Sequence, residues 1–135
     1  MDSLTPMERS ARMRLIKASE TNPELVVRAL VRKLGYRFLS NDSRLPGSPD
    51  LVFVARRKVV FVHGCFWHRH NGCSMARLPK SRQHFWQTKL SKNRLRDASM
   101  RRALTRMGWS SMVVWECELS DPINVMFKLL AYLEA

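Results

Sequence analysis

The chain has 135 residues, 45% of them hydrophobic, and carries 24 Lys and Arg against 11 Asp and Glu, for a formal charge of +13. This composition predicts one globular domain over residues 1–135 and argues against an intrinsically disordered chain. The charge predicts a polyanionic partner, with nucleic acid favoured over a membrane surface because no predicted helix sets an apolar face opposite a purely basic one.

No apolar run reaches 18 residues, and the N-terminus lacks the basic and apolar regions of a secretion signal. A cytoplasmic protein without a membrane span is therefore expected. Three cysteines are a poor basis for a disulfide framework, and in a reducing compartment clustered Cys and His more often bind metal.

Two helices are predicted in the first third of the chain. Thr5-Pro6-Met7-Glu8 is a capping box with proline at the first helical position, which predicts a helix to about Lys17. Asn22-Pro23-Glu24 begins a second helix, and Gly35 ends it. The side chains expected on its buried side are Leu25, Val26, Ala29, Leu30 and Leu34.

The middle of the chain predicts a hairpin. Leu51–Val54 and Val59–Val62 are β-branched and aromatic runs separated by four residues, and their continuous apolar character is typical of strands covered on both faces. The other predicted elements are a strand over Tyr36–Leu39, a helix over Ser81–Met107, a strand over Trp109–Trp115 and a helix from Asp121 to Tyr132. This order predicts an α/β domain with a mixed central sheet flanked by helices. Core residues expected on the long helix are Leu90, Leu95, Ala98, Ala103 and Leu104.

The segment from His63 to Cys73 holds three of the four histidines and two of the three cysteines. A Cys₃His set can be drawn from Cys65, His70, Cys73 and Cys117. Thiolates and an imidazole suit tetrahedral zinc, and four protein ligands make a closed, structural site. His68 is an alternative to His70 as the ligand. Buried thiols and a surface histidine are the simpler interpretation, but the density of the cluster favours zinc.

A carboxylate and two imidazoles are predicted to converge at one end of the hairpin. Antiparallel pairing brings Asp50 beside His63, and His68 follows one loop later. A carboxylate binds Mg²⁺ through hard oxygen, and a neutral imidazole takes a proton from water near neutral pH, so together they suit phosphodiester hydrolysis. Alone, Asp50 is typical of a turn and His63 of a core histidine. Only their conjunction in a strongly basic chain supports the hypothesis.

One face of the long helix carries a polar stripe at spacings of three and four residues. Its members are Trp86, Lys89, Asn93 and Asp97. Such groups can stack on a base, contact a phosphate and read a base edge, although a solvated face explains most charged helices. Phe66 and Trp67 could belong to the core, or could wedge between bases and kink a duplex.

With these residues in place, the chain resembles the very-short-patch repair (Vsr) DNA mismatch endonucleases over nearly its whole length. The match includes Val62–His68, of which the segment His63–His68 is highly specific. The other matching segments are Arg9–Arg14, Leu45–Asp50, Phe85-Trp86, Lys92-Asn93, Arg96-Asp97, Gly108-Trp109 and Val114–Cys117. The resemblance implies a restriction-endonuclease-like fold with a structural zinc loop. It also implies a Mg²⁺-dependent hydrolase that nicks one strand 5′ to the thymine of a T·G mismatch, which arises by deamination of 5-methylcytosine.

The same resemblance implies a role for each site residue. Mg²⁺ is held at Asp50, His68 activates the water and His63 assists at the metal or leaving group. The outer part of that site is formed by Glu24 and Asp97. The zinc ligands are Cys65, His70, Cys73 and Cys117. Phe66, Trp67 and Trp86 match the family's intercalating aromatics, and Met13 matches a residue that enters from the opposite groove. Lys89 and Asn93 of the polar stripe are the further DNA-contacting candidates.

Double-stranded DNA is the expected partner of a monomeric, nucleoid-associated bacterial enzyme, and a MutL-type repair protein is a second partner consistent with the family. Two rival functions remain at this point. One is a related restriction-type or mobile-element nuclease that cuts paired DNA. The other is a zinc-stabilised DNA-binding module without hydrolysis.

Overall fold

The computed structural model describes residues 22–135, in which helices pack on both faces of a four-stranded sheet. The strands, in sheet order, are β1 (Leu39–Ser40), β2 (Leu51–Phe53), β3 (Lys58–His63) and β4 (Ser110–Trp115). The α-helices of this part are α1 (Asn22–Lys33), α2 (Gln83–Arg106) and α3 (Pro122–Glu134). The predicted helix over Thr5 to Lys17, with Met13 on it, lies outside the described residues.

The sheet is mixed, as predicted. β2 pairs antiparallel with both β1 and β3, whereas β3 pairs parallel with β4. The predicted hairpin is present, but Val54 leaves the strand and begins the 3-10 turn Val54–Arg56. Arg57 has a left-handed φ of +53°, which reverses the chain into β3. All three residues of β2 and the last five of β3 are buried, which agrees with the expectation of strands covered on both faces.

Successive residues of β3 face different layers because side chains alternate along a strand. Val60 and Val62 belong to the larger core, which α1 and α3 cover. Val59 and Phe61 belong to a smaller core that Leu104 of α2 closes. His63 continues the second series, so its ring lies on the α2 side of the sheet. None of the described helices is long and apolar enough to cross a membrane.

The predicted buried side of α1 is wrong in part. Leu30 is buried and Leu34 is half-buried, but Ala29 is exposed, and Leu25 and Val26 are 44% and 38% exposed. The inward stripe instead has the helical spacing of three and four residues and includes two charged side chains. Its members are Glu24, Val27, Arg28 and Val31. The apolar pattern of the sequence does not mark this stripe, because Glu24 and Arg28 are charged. These two side chains are buried because they face a cavity.

Two further sequence predictions need correction. Leu90 and Leu104 of α2 are fully buried, but Leu95 is 70% exposed and Ala98 is exposed as well. Leu90, Asp97 and Leu104 are spaced seven residues apart and so share one face of α2. The face that packs on the sheet is therefore partly polar. The predicted strand over Tyr36 to Leu39 shrinks to Leu39–Ser40, because the pairing with β2 is limited to these two residues, while the rings of Tyr36 and Phe38 pack on Phe53.

Candidate active site and metal centre

A cavity of about 240 Å³ lies between the start of α1, the end of β3 and the middle of α2. Its titratable lining consists of Glu24, Asp50, His63, His68, Asp97 and the two arginines Arg96 and Arg101. The fold therefore brings Asp50, His63 and His68 to one place, together with both outer acids that the family resemblance implied.

Hydrogen bonds hold the Asp50 carboxyl at the entrance to β2. Its Oδ2 accepts from the Val62 amide at 2.6 Å, and its Oδ1 accepts from the Asn41 side chain at 3.4 Å. Burial raises the pKa of the Asp50 carboxyl, against the opposing effects of the Val62 amide, a hydrogen bond with Glu24 and the charge of Arg28. Two neighbouring carboxyl groups in one cavity supply the hard oxygen atoms that Mg²⁺ takes as ligands, so the residues present fit this ion.

His68 and Asp97 form the second pair in the cavity. His68 Nδ1 lies 2.5 Å from Asp97 Oδ2. A carboxylate acceptor at this distance places the imidazole proton on Nδ1 and leaves Nε2 as the proton acceptor of the neutral ring. This is the arrangement in which a carboxylate orients a histidine that acts as a general base. His63, His68 and Asp97 also bring one possible metal-ligating atom each within 4.8 Å of one another.

His63 lies flat against His68 in the interior of the cavity. The ring centroids are 3.8 Å apart with an interplanar angle of 5°, and His63 is 6% exposed. Burial lowers the pKa of His63 to about 4, with smaller contributions from the charges of His68 and Arg101. His63 is therefore neutral at neutral pH. Its Nδ1 atom is buried without a hydrogen-bond partner among residues 22–135.

The depressed pKa of His63 predicts a pH dependence of stability. The pKa falls from 6.5 to about 4 on folding, so the unfolded chain binds the extra proton between these values. The contribution of neutral His63 to the free energy of unfolding is therefore fully present above pH 6.5 and is lost as the pH falls towards 4. Denaturant unfolding at pH 7 and pH 5 should show a loss of about 2 kcal/mol that His63→Phe removes.

The matched control for this measurement is His84→Phe, which replaces an exposed histidine at the start of α2. This variant should lose as much stability between pH 7 and pH 5 as the unsubstituted chain. An equal loss in His63→Phe and His84→Phe would contradict the assignment to His63.

Three thiols and one imidazole converge beside the end of β4. The ligand atoms of Cys65, His70, Cys73 and Cys117 all lie within 4.8 Å of one another. His70 Nδ1 lies 3.6 Å from Cys65 Sγ and 3.4 Å from Cys117 Sγ. Burial raises the pKa of the Cys65 thiol to about 12, so a thiolate here needs a cation nearby. The donor set is the one that tetrahedral zinc takes, and the residues present fit that ion.

Neighbouring groups hold this metal-ligating cluster in shape. The His70 ring stacks on Trp115 at 4.1 Å, and its backbone amide donates to the Cys65 carbonyl at 2.9 Å. Glu116 Oε1 accepts from the Cys65 amide at 3.1 Å and so ties the loop to the end of β4. Of the two histidines considered as ligands, the geometry groups His70 with the thiols and pairs His68 with Asp97.

One exposed and two half-buried aromatic rings lie together beside the loop that carries His68. Phe66, Trp67 and Trp86 pack edge to face with centroids 5.1–6.1 Å apart, and Trp67 is 49% exposed. Lys89 Nζ lies over the rings of Trp67 and Trp86 at 5.9 and 6.0 Å. Asn93 Nδ2 donates to the Trp67 carbonyl at 3.2 Å, which fixes the loop that carries the ring. We call Phe66, Trp67 and Trp86 the aromatic cluster.

Several residues near these sites were missed by sequence reasoning. Arg28 and Asn41 lie behind Asp50, and Glu116 supports the thiol cluster. A signal for Arg28 existed, because it follows Glu24 by four residues and so shares its helix face. Asn41 had no such signal, since its contacts depend on how the loop before β2 folds.

An α/β fold that sets an acid pair and a carboxylate-oriented histidine in one cavity, with an aromatic cluster between the neighbouring loop and a basic helix, is typical of a nuclease. The model of the family described as DNA mismatch endonuclease Vsr matches residues 1–74. The chain belongs to the DNA mismatch endonuclease Vsr family, and it is a DNA-cleaving hydrolase.

Three relatives illustrate the similarity. The type II nicking enzyme V.XorIIP of Xanthomonas oryzae pv. oryzae is 49% identical over 120 residues, which cover 89% of this chain and 88% of that protein. The type II nicking enzyme V.NmeAIP of Neisseria meningitidis is 42% identical over 120 residues, covering 89% and 85%. The DNA mismatch endonuclease Vsr of Escherichia coli is 40% identical over 111 residues, covering 82% and 70%.

Proposed function

We propose that this protein is a Mg²⁺-dependent endonuclease that nicks one strand of duplex DNA 5′ to the thymine of a T·G mismatch. The observation that carries the proposal is the meeting of the Asp50–Glu24 and His68–Asp97 pairs in one cavity beside the aromatic cluster. Membership of a mismatch endonuclease family and similarity to nicking enzymes support the same reaction. A restriction-endonuclease-like fold in one domain over residues 1–135 is part of this proposal.

Asp50 and Glu24 would hold the catalytic ion. The Val62 amide fixes one oxygen of Asp50, and the buried Glu24 carboxyl lies beside it. When bound, Mg²⁺ would withdraw charge from the scissile phosphate and from the leaving 3′-oxygen. Arg96 and Arg101 line the same cavity and add positive potential where the phosphate enters.

His68 is the proposed general base. Its Nε2 takes a proton from water as the water attacks phosphorus directly, with no covalent intermediate on the enzyme. The Asp97 carboxylate stabilises the imidazolium that forms, because it already accepts the Nδ1 proton. Since the stacked His63 ring stays neutral, His68 gains its charge without a second cation at 3.8 Å.

The proposed role of zinc is structural. Cys65, His70 and Cys73 lie on one loop, and Cys117 lies on the 3-10 turn that follows β4. A closed four-ligand site would fasten the loop to the sheet. His68 is placed on this loop between Cys65 and His70, so zinc would position the base without touching the substrate.

The aromatic cluster would favour a mispair over a matched duplex. Inserting a ring between bases costs unstacking free energy, and this cost is lower for a mismatched step. Trp67 has the exposed ring, and Phe66, Trp86 and the Lys89 ammonium support it from one side. Lys89 and Asn93 lie on the same helix face and supply polar groups for the displaced bases.

Trp67→Ala is expected to lower the ratio of nicking rates on T·G and matched duplexes by roughly tenfold, the free-energy equivalent of one lost stacking contact. Trp67→Phe, which keeps a ring, should retain most of the preference. The control is Phe127→Ala, which removes an aromatic ring that is 67% exposed on α3, away from the cavity. An unchanged ratio in Trp67→Ala would reject insertion as the source of discrimination.

The proposed function is tested by cleaving end-labelled duplexes that carry each mispair in varied flanks, with Mg²⁺ or with EDTA. A single nick 5′ to thymine, on T·G only and with Mg²⁺ only, is the expected result. Equal cutting of matched duplex would instead support the restriction-type or mobile-element nuclease. Tight binding without any cut would support the DNA-binding module. Association with a MutL-type repair protein and a monomeric state stay predictions.

A further inference from the structure

We propose that the Asn41 side chain is a spacer between the buried Arg28 guanidinium and Asp50, which keeps the Asp50 carboxylate open to a divalent cation. Asn41 is thus a positioning residue, acting through Asp50 and not on the substrate. This inference rests on the proposed function, because it deals with the ion that Asp50 would hold.

Arg28 places a permanent positive charge behind the cavity. The residue is 6% exposed, and its Nη2 lies 3.7 Å from Glu24 Oε2 one helical turn earlier. A buried guanidinium loses its hydration and gains most from a direct, bidentate pair with a carboxylate. Asp50 is near enough for Arg28 to act on it electrostatically, yet the two residues form no direct ion pair within the described part of the chain.

Asn41 fills the position between these two groups. Arg28 Nη2 donates to Asn41 Oδ1 at 2.7 Å, while Asn41 Nδ2 donates to Asp50 Oδ1 at 3.4 Å. Because a guanidinium only donates and a carboxylate only accepts, the amide has one orientation that satisfies both. The backbone reinforces this placement, since the Asn41 amide donates to the Asp50 carbonyl at 3.2 Å.

The backbone of Asn41 allows the side chain to be removed without strain. Its φ is +49°, a left-handed conformation that asparagine adopts more readily than most residues and that glycine adopts without strain. Replacing Asn41 with glycine therefore removes the amide and leaves the backbone relaxed, so the variant should fold.

With the spacer removed, Arg28 could turn onto the Asp50 carboxylate and compete with the cation. Asn41→Gly should raise the Mg²⁺ concentration for half-maximal nicking about tenfold, the usual scale for loss of a group that orients a metal ligand. The nicking rate at saturating Mg²⁺ should stay within about threefold of the original. Bound Mg²⁺ should also raise the thermal unfolding midpoint, and this can be measured without DNA. In Asn41→Gly the same rise should require a Mg²⁺ concentration that is higher by the same factor.

The competition with Arg28 has its own test. Asn41→Gly combined with Arg28→Gln removes both the spacer and the competing charge, so the Mg²⁺ requirement should return to within about threefold of the original. The control is Arg57→Gly, which places glycine at another left-handed position, φ +53°, in the β2–β3 turn. It should leave the Mg²⁺ requirement unchanged.

An unchanged Mg²⁺ requirement in Asn41→Gly would overturn the inference. The inference would also fail if the double variant needed as much Mg²⁺ for half-maximal nicking as Asn41→Gly alone. Neither result would contradict the proposed function, which is tested separately by the cleavage of mismatched and matched duplexes with and without Mg²⁺ and by the nicking rate of Asp50→Asn.

Discussion

Asp50→Asn is expected to reduce nicking of a T·G duplex by roughly 10³-fold while the duplex is still bound. The variant keeps the size of the side chain, and the amide oxygen can still accept from the Val62 amide. It removes the negative charge that a divalent cation needs beside Glu24. Single-turnover nicking at saturating enzyme, together with a binding titration in Ca²⁺, separates loss of chemistry from loss of affinity.

Asp42→Asn is the matched control for this variant. It changes the same residue type in the same loop, but Asp42 pairs with Arg44 at 2.8 Å and does not line the cavity. This control should nick at the original rate. Comparable nicking by Asp50→Asn and Asp42→Asn would remove Asp50 from the mechanism.

Much of the fold could be predicted because its signals are local. The apolar runs around Ala55–Lys58 predicted the hairpin, and Gly108, with a φ of +86°, marks the end of the long helix as expected. Asp121 accepts from the Asn124 amide at the start of α3, as its position before proline predicted. These features depend on side chains a few residues apart, so the sequence alone specifies them.

The wrong predictions concern residues whose burial is determined by tertiary contacts. Leu25 and Val26 are apolar but exposed, whereas Glu24 and Arg28 are charged but buried, because the start of α1 faces a cavity and not an apolar core. Periodicity cannot distinguish these cases when the buried stripe is itself charged. Asn41 was missed for a related reason, since its amide bridges residues 13 positions before it and 9 after it.

The convergence of the candidate site, in contrast, followed from sheet topology. Antiparallel pairing of β2 and β3 puts Asp50 next to Val62, one residue before His63. The pairing of His68 with Asp97 spans 29 residues and depends on where α2 crosses the sheet. Sequence spacing placed Asp97 on the correct helix face, but only the structure identifies His68 as its partner.

Cys117→Ser is expected to release the proposed zinc ion and to destabilise the fold by about 4 kcal/mol, or roughly 15 °C in Tm for a domain of this size. The reason is the loop between β3 and α2. Apart from the short 3-10 turn Ser74–Ala76, residues 64–82 have no regular secondary structure, so few backbone hydrogen bonds stabilise them. Metal analysis of the purified protein should give one zinc per chain before the change and almost none after it.

The control for Cys117→Ser is Ser120→Ala, because the Ser120 hydroxyl donates to the Cys117 carbonyl at 3.1 Å without offering a metal ligand. It should retain zinc and lose little stability.

Nicking provides a second comparison. Asp50→Asn should keep its zinc and its original Tm but lose nicking. Cys117→Ser should lose zinc and nicking and have a lower Tm, because His68 lies on the loop between two zinc ligands. A full complement of zinc in Cys117→Ser would exclude this thiol as a ligand. Retained zinc with lost nicking would instead indicate that the thiol acts on the position of His68 directly.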